Sequence, residues 1–220
     1  MEQVEKQAEK IEEKTGWKLD HAGRELPGGT ERRDAAHNRR VIVETARALF
    51  DERGVTGVTM EEVARVAGVG KGTLYRRFSN KGLLCQALLD EPTRKLQREV
   101  LGDLGDVSMG PVEKLGRFLE RLVYFTEENL DLLYGGHETL AGAERLAYFD
   151  HPAHEWRRST VLGLLRLARR NGELDEGLDD GYLADALLAP LDVDLYYHQR
   201  RVRGISPERI ANGLRSLVPG

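Results

Sequence analysis

The fold of this chain is decided by residues 59–78, which read TMEEVARVAGVGKGTLYRRF. Thr59 and Glu62 have the spacing of a capping box, so the sequence predicts that a helix begins here. The chain must reverse at Gly68, where glycine is favoured because it tolerates a positive φ. A second short helix is expected after Gly70, which is an acceptable N-cap although it lacks a side chain. The stretch therefore predicts two short helices joined by a tight turn.

Each of these helices is expected to bury one face. The apolar positions of the first helix and its turn are Val63, Ala64, Val66, Ala67 and Val69. In the second helix Leu74 and Phe78 stand four residues apart and are expected to anchor it inward. The side chains left toward the surface are hydroxyl, aromatic and basic: Lys71, Thr73, Tyr75, Arg76 and Arg77. A helix with such a face suits the major groove of DNA, so the stretch indicates a DNA-binding helix-turn-helix.

The charge of the chain supports this interpretation once it is divided along the sequence. The whole chain carries −4. Residues 31–82 contain eleven Lys or Arg against seven Asp or Glu, which makes that segment +4 and leaves −8 on the remainder. A basic module on an acidic body attracts phosphate at one end and repels it elsewhere. The basic segment and the helix-turn-helix pattern coincide.

The stretch and its flanks resemble the TetR family of bacterial transcriptional regulators over about residues 38–90. The residues that carry the resemblance are Ile42, Ala46, Leu49, Phe50, Gly54, Thr59, Val63-Ala64, Ala67-Gly68-Val69, Gly72-Thr73-Leu74-Tyr75, Phe78, Lys81 and Leu84. One position departs from the family, because residue 70 is usually serine and is glycine here. That change removes a hydroxyl that would cap the recognition helix or reach a phosphate.

The resemblance implies an all-α protein with an N-terminal three-helix helix-turn-helix domain and a larger helical ligand-binding and dimerisation domain. It implies a DNA-binding set made of Thr59, Lys71, Gly72, Thr73, Tyr75, Arg76, Arg77 and Lys81. Within this set Thr73 and Lys71 are expected at base edges or nearby phosphates. The backbone would be held by Tyr75, Thr59 and Lys81. For Arg76 and Arg77, pairing with guanine and pairing with phosphate both stay open.

Three regions are predicted along the chain. Residues 1–37 form a charged, flexible extension, residues 38–96 form the DNA-binding domain, and residues 97–220 form the effector-binding and dimerisation domain. The extension has two interpretations, a mobile tail or a basic arm that touches the DNA backbone or minor groove through Arg32, Arg33, Arg39 and Arg40. In the third region, Asn171-Gly172 predicts a helix end, and Pro190 predicts a kink.

By the resemblance, the last two helices pair with their copies in a homodimer. A two-fold dimer presents two recognition helices to half-sites about one helical turn apart, or a multiple, so the operator is expected to be an inverted repeat of double-stranded DNA. The expected function is a repressor that a small, partly apolar effector releases from its operator. The alternative is an activator or an architectural DNA binder without ligand control.

The effector pocket is expected within the helices of the third region. Its candidate residues are Phe118, Leu122, Phe125, Tyr134, His137, Tyr148, Trp156, Leu164, Asp194 and His198. Aromatic residues at helical spacing also fit plain core packing. Asp194 and His198 lie four apart on an apolar face, where they would line the pocket or the dimer interface. A shift in helix register at Pro190 would instead turn both to solvent.

Other classes of protein find little support in the sequence. No apolar run is long enough for a membrane helix, and the single cysteine, Cys85, suits a reducing cytoplasm, so a cytoplasmic location without membrane contact is expected. The chain is not expected to be an enzyme and should need no cofactor or catalytic residue. His151 and His154 have a spacing that metals use, but no ligand cluster supports them, so they are expected to be exposed loop residues and no metal site is expected.

Overall fold

The computed structural model describes residues 28–138, 149–175, 177 and 179–218. The regular secondary structure of these residues is helical throughout, without a strand, which confirms the all-α fold. The chain packs as two compact units. The first contains residues 28–52 and 58–79 of the described chain, and the second contains residues 53–57 and the described residues from 80 onward.

The first unit is built from three helices, α1 (Gly28–Arg53), α2 (Met60–Val66) and α3 (Lys71–Arg77). Its buried apolar residues come from all three helices and the segments beside them: Ile42, Ala46, Phe50, Val58, Met60, Val63, Ala64, Leu74 and Phe78. Leu74 is 0 % exposed and Phe78 is 3 % exposed, so both predicted anchors are confirmed. The short helix α3 is therefore fixed by packing, as a helix of its length must be.

Val66 is an apolar residue of α2 that the sequence predicts on the buried face, and this prediction is wrong. It is 51 % exposed, whereas Val63 and Ala64 are buried. At 100° per residue, the face that Met60, Val63, Ala64 and Ala67 share is centred about 110° away from Val66. Val66 is also the last residue of α2. Its side chain therefore points away from the buried face of the helix.

The start of α1 differs from the predicted extension. The helix begins at Gly28, so residues 28–37 are helical rather than part of a tail. Gly28 and Gly29 thus belong to the first turn of a helix that continues to Arg53. The rest of the predicted extension, residues 1–27, and the side chains of Arg32 and Arg33 lie outside the described part of the chain.

The second unit contains the remaining helices. They are α4 (Lys81–Gly105), α5 (Pro111–Glu128), α6 (Leu130–His137), α7 (Pro152–Arg170), α8 (Asp180–Leu188), α9 (Val193–Tyr197) and α10 (Pro207–Ser216). Helix α4 continues through Pro92 without interruption. The predicted domain boundary at 96/97 lies inside α4 and stays a prediction. None of the helices within the described ranges is long and apolar enough to cross a membrane.

Local signals explain where these helices begin and end. The side chain of Asn80 accepts the backbone N–H of Leu83 at the start of α4, and that of Ser206 accepts the N–H of Arg209 at the start of α10. Helix α7 ends before Gly172, which has φ 74°, a conformation that glycine adopts without strain. The end predicted at Asn171-Gly172 is confirmed.

The core of the second unit is centred on α5. This helix contributes Leu115, Phe118, Leu119, Leu122, Val123 and Phe125, which all lie within the hydrophobic cluster. The other walls of the cluster come from α4, α6, α7 and the segments that follow: Leu96, Val100, Leu130, Val161, Leu165, Leu187, Tyr196, Ile210 and Leu214. Helix α5 is thus packed against several other helices, which explains why its apolar face is broad.

The helix that leads to the C-terminal part is broken where Pro190 predicted a kink. Helix α8 ends at Leu188, a 3₁₀ turn covers Ala189–Leu191, and α9 starts at Val193. The carboxylate of Asp192 caps the new helix by accepting the backbone N–H of Asp194 at 3.1 Å. A π-helical turn, His198–Val202, then follows α9. The kink is confirmed.

Candidate functional site

The turn between α2 and α3 has the geometry that its sequence predicted. The Thr59 hydroxyl accepts the backbone N–H of Glu62 at 3.2 Å, and the Glu62 carboxylate accepts the N–H of Thr59 at 2.9 Å. Gly68 has φ 68°, and the N–H of Val69 then returns to the carbonyl of Ala64 at 3.0 Å. The capping box and the glycine turn together fix the direction in which α3 leaves.

The outer face of α3 carries the predicted DNA-binding side chains. Leu74 is the buried residue of this helix. The residues that point outward are Lys71, Gly72, Tyr75, Arg76 and Arg77, with Thr73 half-buried beside them. Gly70 begins the helix without a side-chain cap. The basic side chains of α3 are therefore accessible to solvent, which suits an anionic partner.

Tyr75 and Glu61 form a polar contact across the two helices. The Tyr75 hydroxyl donates to Oε1 of Glu61 at 3.1 Å. A hydrogen bond from its own backbone and this bond from Tyr75 lower the pKa of Glu61, and the same bond raises the pKa of Tyr75. The phenol ring is 40 % exposed. The contact orients an exposed aromatic side chain at the edge of the α3 surface.

A groove of about 520 Å³ extends along this surface. Its lining comes from the N-terminal part of α1 and from α3: Asp34, Ala35, Asn38, Thr73, Arg76 and Arg77. Arg76 also lies within 3.5 Å of the Thr73 hydroxyl. Beside the groove, the Arg39 guanidinium lies 5.6 Å from the centre of the Phe78 ring. Helix α1 thus adds polar groups to the α3 surface.

Two members of the predicted DNA-binding set are engaged within the protein. Lys81 Nζ donates to the carbonyl of Val55 at 2.6 Å, which fixes the 53–57 turn against the start of α4. The Thr59 hydroxyl belongs to the capping box. Both residues have local structural roles, and their contact with the DNA backbone stays a prediction.

The predicted effector residues fall into two groups. Phe118, Leu122, Phe125 and Leu164 are between 1 % and 6 % exposed and fill the core, and Trp156 packs edge-on against Phe118 with ring centres 5.6 Å apart. The other group is polar or aromatic and lies around α6 and α9. Tyr148 lies outside the described residues.

The second group forms a small cluster of its own. The Tyr134 ring stacks on Tyr197 with centres 3.8 Å apart. The imidazole of His137 is buried, and its Nδ1 lies 3.4 Å from the carboxylate of Asp194, which is 48 % exposed. His198 is exposed on the π-helical turn. Asp194 and His198 are both turned toward solvent. This agrees with the interpretation in which a register shift at Pro190 takes them off the apolar face.

A cavity that the sequence did not predict lies between α7 and α8. Its volume is about 450 Å³, and its lining residues are Phe149, His154, Arg157, Arg158, Asp185, Leu188, Ala189, Leu191 and Asp192. Of the ten predicted effector residues, the nine that the structure describes are all absent from this lining. The sequence did hold a signal, because His154, Arg157 and Arg158 are spaced to share one face of a helix.

The sequence predicts that His151 and His154 are exposed loop residues, and this prediction is wrong for both histidines, which lie near this cavity at the start of α7. His151 caps α7, with its Nδ1 accepting the backbone N–H of Ala153 at 3.2 Å. His154 lies inside α7 and its ring meets Phe149 edge-on. Burial and the nearby charge of Arg157 lower the pKa of His154. The described residues include no group of three or more potential metal ligands.

The helix-turn-helix is what relates this chain to known proteins. The family model described as bacterial regulatory proteins, tetR family, matches residues 42–88, which include α2, the glycine turn and α3. The chain belongs to the TetR family. A curated HTH-type transcriptional regulator of Staphylococcus aureus (strain bovine RF122 / ET3-1) is 28 % identical over 84 % of this chain and 95 % of its own length. The chain is accordingly a DNA-binding transcriptional regulator.

Solved structures of TetR-type regulators share the fold. The Thermus thermophilus repressor FadR, in complex with lauroyl-CoA, superposes with a TM-score of 0.64 at 22 % identity, over 81 % of this chain and 92 % of that one. AibR, in complex with isovaleryl coenzyme A and operator DNA, superposes with a TM-score of 0.56 at 24 % identity, over 83 % of this chain and 98 % of that one. These similarities support the arrangement of a helix-turn-helix unit followed by a helical body.

Gly72 provides a test of the DNA-binding surface in this TetR-family chain. It is exposed on α3, and a Cβ at this position would meet no protein atom within 4 Å. Glycine in a helix costs about 0.5–1 kcal/mol relative to alanine. Packing within the protein gives no reason for that cost, whereas close approach of a DNA backbone does. We expect Gly72→Ala to raise the free energy of unfolding by up to about 1 kcal/mol and to weaken operator binding about tenfold or more.

Gly163 provides the matched control for this variant. It is exposed on α7, and a Cβ there also meets nothing within 4 Å. Gly163→Ala should give a similar gain in stability in chemical denaturation and leave operator affinity, measured by fluorescence anisotropy, unchanged. Equal operator binding by the Gly72 variant and the wild type would show that no partner approaches this position closely.

Proposed function

We propose that this TetR-family regulator is a repressor that binds an inverted-repeat operator as a homodimer and leaves it when a small-molecule effector binds. The observation that carries the proposal is the outward face of α3, whose basic and hydroxyl side chains are held in place by the buried anchors Leu74 and Phe78. A repressor of this kind acts where the chromosome is, so we propose a cytoplasmic location.

The proposed contacts divide α3 into reading and positioning residues. Thr73 and Lys71 would reach base edges or nearby phosphates, and Tyr75 would hold the backbone. Arg76 and Arg77 line the groove beside α1, where either guanine or phosphate is in reach of a guanidinium. Gly72 would allow the DNA backbone to approach. The N–H groups at the start of α3 add a partial positive charge that favours phosphate.

Exposed apolar residues of the last helices support a homodimer. Tyr182 is 76 % exposed, Val202 is 67 % exposed and Leu217 is 58 % exposed. They lie on α8, the π-helical turn and the end of α10, which are the segments that the family resemblance assigns to the subunit interface. Covering these side chains in a dimer would remove apolar area from water and so favour association.

The effector is proposed to bind in the second unit. The cavity between α7 and α8 has about 450 Å³, within the range that small-molecule sites occupy. The structural neighbours FadR and AibR hold coenzyme A thioesters, which supports a small molecule with an acyl group. The ten residues predicted from sequence stay a second candidate site, although Phe118, Leu122, Phe125 and Leu164 are accounted for by core packing. Any effector acts only through its different affinities for the operator-bound and free states.

Operator binding is the experiment that tests the proposal. Purified wild-type protein is titrated against labelled duplexes from the DNA upstream of its own gene, by fluorescence anisotropy at two salt concentrations. We expect binding that exceeds that of a scrambled duplex and weakens with salt, because phosphate contacts release counterions. Shortening the duplex to a single half-site should reduce affinity sharply, because a dimer then loses half of its contacts.

Tyr75→Ala should lower operator affinity at least about tenfold, because it removes an exposed ring from the α3 surface. Tyr124→Ala is the matched control, since the two tyrosines are similarly exposed, at 37 % for Tyr124 and 40 % for Tyr75. Tyr124 lies on α5 in the second unit. Loss of binding in both variants, or in neither, would contradict the proposed interface. Full affinity for a single half-site would contradict the inverted-repeat operator.

A further inference from the structure

We propose that the cavity between α7 and α8 binds an acyl ligand by its anionic headgroup, with Arg157 as the headgroup anchor and Phe149, Leu188 and Leu191 as the apolar wall. The inference deepens the proposed function, on which it rests for the step from ligand binding to operator release. The binding event itself is tested without DNA.

The walls of the cavity divide into an apolar side and a charged side. Leu188 and Leu191 are 8 % and 7 % exposed, and Phe149 lies at the rim with 47 % exposure. The charged side is formed by α7, with His154, Arg157 and Arg158. A site with both characters favours a ligand that has a hydrocarbon part and a polar or charged end.

The second arginine of the lining, Arg158, already has a partner. Its Nε donates to Oδ1 of Asp185 at 2.6 Å, and its Nη2 donates to Oδ2 of the same carboxylate at 3.3 Å. The carboxylate of Asp192 caps α9 by accepting the N–H of Asp194. Both acidic groups of the lining are thus occupied by other donors. Neither is arranged as the counter-ion of Arg157.

Arg157 differs from its neighbour in its environment. Its Nε is buried and meets no hydrogen-bond acceptor within the described part of the chain. Its guanidinium carbon lies 5.2 Å from the centre of the Phe125 ring, which is itself 6 % exposed. A buried N–H donor without an acceptor is costly. An oxyanion supplied by a ligand would satisfy this donor.

Carboxylate and phosphate oxygens match the planar fork of a guanidinium. His154 does not add a second cation at neutral pH, because burial and the charge of Arg157 lower the pKa of its imidazole. The anchor is therefore a single arginine, which indicates an anionic headgroup of low charge at this point. The volume of about 450 Å³ is toward the lower end of the range for small-molecule sites. It suits an acyl chain and the atoms next to it.

Two sources could supply such a ligand, a free carboxylate or a coenzyme A thioester, and the test separates them. Dodecanoate, lauroyl-CoA and dodecanol are titrated into the 220-residue protein by isothermal calorimetry. The two anions are kept below their micelle concentrations, and dodecanol is kept below its solubility limit. We expect dodecanoate or lauroyl-CoA, or both, to bind at least about tenfold more tightly than dodecanol, which has the same chain without the anion.

The variant Arg157→Gln should weaken binding of the preferred anion at least about tenfold and leave the affinity for dodecanol unchanged. Arg166→Gln is the matched control, because Arg166 is an exposed arginine of the same helix, and it should bind all three probes like the wild type. Arg157→Lys keeps the positive charge but lacks the planar guanidinium that donates two parallel hydrogen bonds. Its affinity for the anion should fall between those of the wild type and the glutamine variant. Thermal melting of each variant verifies that it is folded.

The inference is overturned if neither anion binds better than dodecanol, or if a folded Arg157→Gln protein binds the anions as tightly as the wild type. Operator binding without ligand separates this result from the proposed function. A wild-type protein that binds the anions through Arg157 but ignores its operator would overturn the repressor and leave the cavity's ligand class in place. Operator binding without binding of either anion would overturn the ligand class proposed for the cavity and leave the DNA-binding function in place.

Discussion

Leu74→Ala should abolish operator binding and destabilise the first unit by about 2–5 kcal/mol, the range for buried leucines. Leu74 is 0 % exposed and is the buried residue of the seven-residue helix α3. A helix this short does not persist on its own propensity, because nucleation is unfavourable and only tertiary contacts hold it. Without this anchor the DNA-facing side chains lose their common orientation, although none of them has been changed.

Hydrogen exchange measured by mass spectrometry checks this prediction, because it reports on the two units separately. Peptides from residues 60–78 should exchange much faster in Leu74→Ala, and peptides from α5 should be unchanged. Arg76→Ala is the control on the same helix, since Arg76 is exposed and its loss removes a charge without removing packing. It should leave exchange unchanged and reduce both operator affinity and its dependence on salt. Normal operator binding by the Leu74 variant would show that the anchor is dispensable.

The helix-turn-helix could be predicted from sequence because its determinants are local. A cap at Thr59, a positive φ at Gly68 and two anchors four residues apart are all signals that lie within a few residues of the structure they fix. The prediction that Val66 is buried was wrong because it rested on residue type and not on the position of Val66 around the helix. Its apolar character suggested burial, but its angular position on α2 decided its exposure.

The cavity between α7 and α8 could not be predicted in this way. Core aromatics such as Phe118 and Phe125 follow the same helical spacing that pocket residues would, so periodicity alone does not separate core residues from the lining of a cavity. Arg157 and Arg158 are adjacent in sequence, yet Arg158 is paired with Asp185 whereas Arg157 faces the Phe125 ring. That difference depends on a residue 27 positions away, which no local pattern reports.

The outcome at Asp194 and His198 shows where helix periodicity stops being informative. Counting 100° per residue from Leu183 placed both on an apolar face, provided that one helix ran through Pro190. The chain instead restarts at Asp192, whose side chain caps α9, and then passes into the π-helical turn. Each break resets the angular position of the residues after it, so Asp194 is half exposed. A proline predicts the break but not the new register.

A bidentate ion pair joins the π-helical turn to α5. Arg200 Nε donates to Oε2 of Glu127 at 2.6 Å, and its Nη2 donates to Oε1 at 2.7 Å. The hydroxyl of Tyr196, a residue that is 0 % exposed, lies 3.2 Å from the same carboxylate. The pair is only 17 % and 23 % exposed. The two hydrogen bonds from Arg200 hold the pKa of Glu127 below its ordinary value, with a smaller contribution from Tyr196.

Glu127→Gln should lower the free energy of unfolding at pH 7 by about 1.5–3 kcal/mol, the range for a hydrogen bond to a charged group. A carboxyl group whose pKa is lowered by folding stabilises the fold fully above its unfolded pKa of about 4.3, and loses that contribution as the pH falls through the folded value. The melting temperatures of variant and wild type should therefore differ most at pH 7 and converge as the pH falls below about 4.3 and through the lowered pKa of Glu127.

Glu128→Gln is the control, because Glu128 is the next residue on α5 and is exposed. It should melt close to the wild type at neutral pH. Scanning calorimetry between pH 3 and pH 7 distinguishes the ion pair from simple packing. If the difference between Glu127→Gln and the wild type were the same at every pH, the variant would have lost shape complementarity rather than charge. If Glu128→Gln lost as much stability as Glu127→Gln, the bidentate pair would not be what ties the π-helical turn to α5.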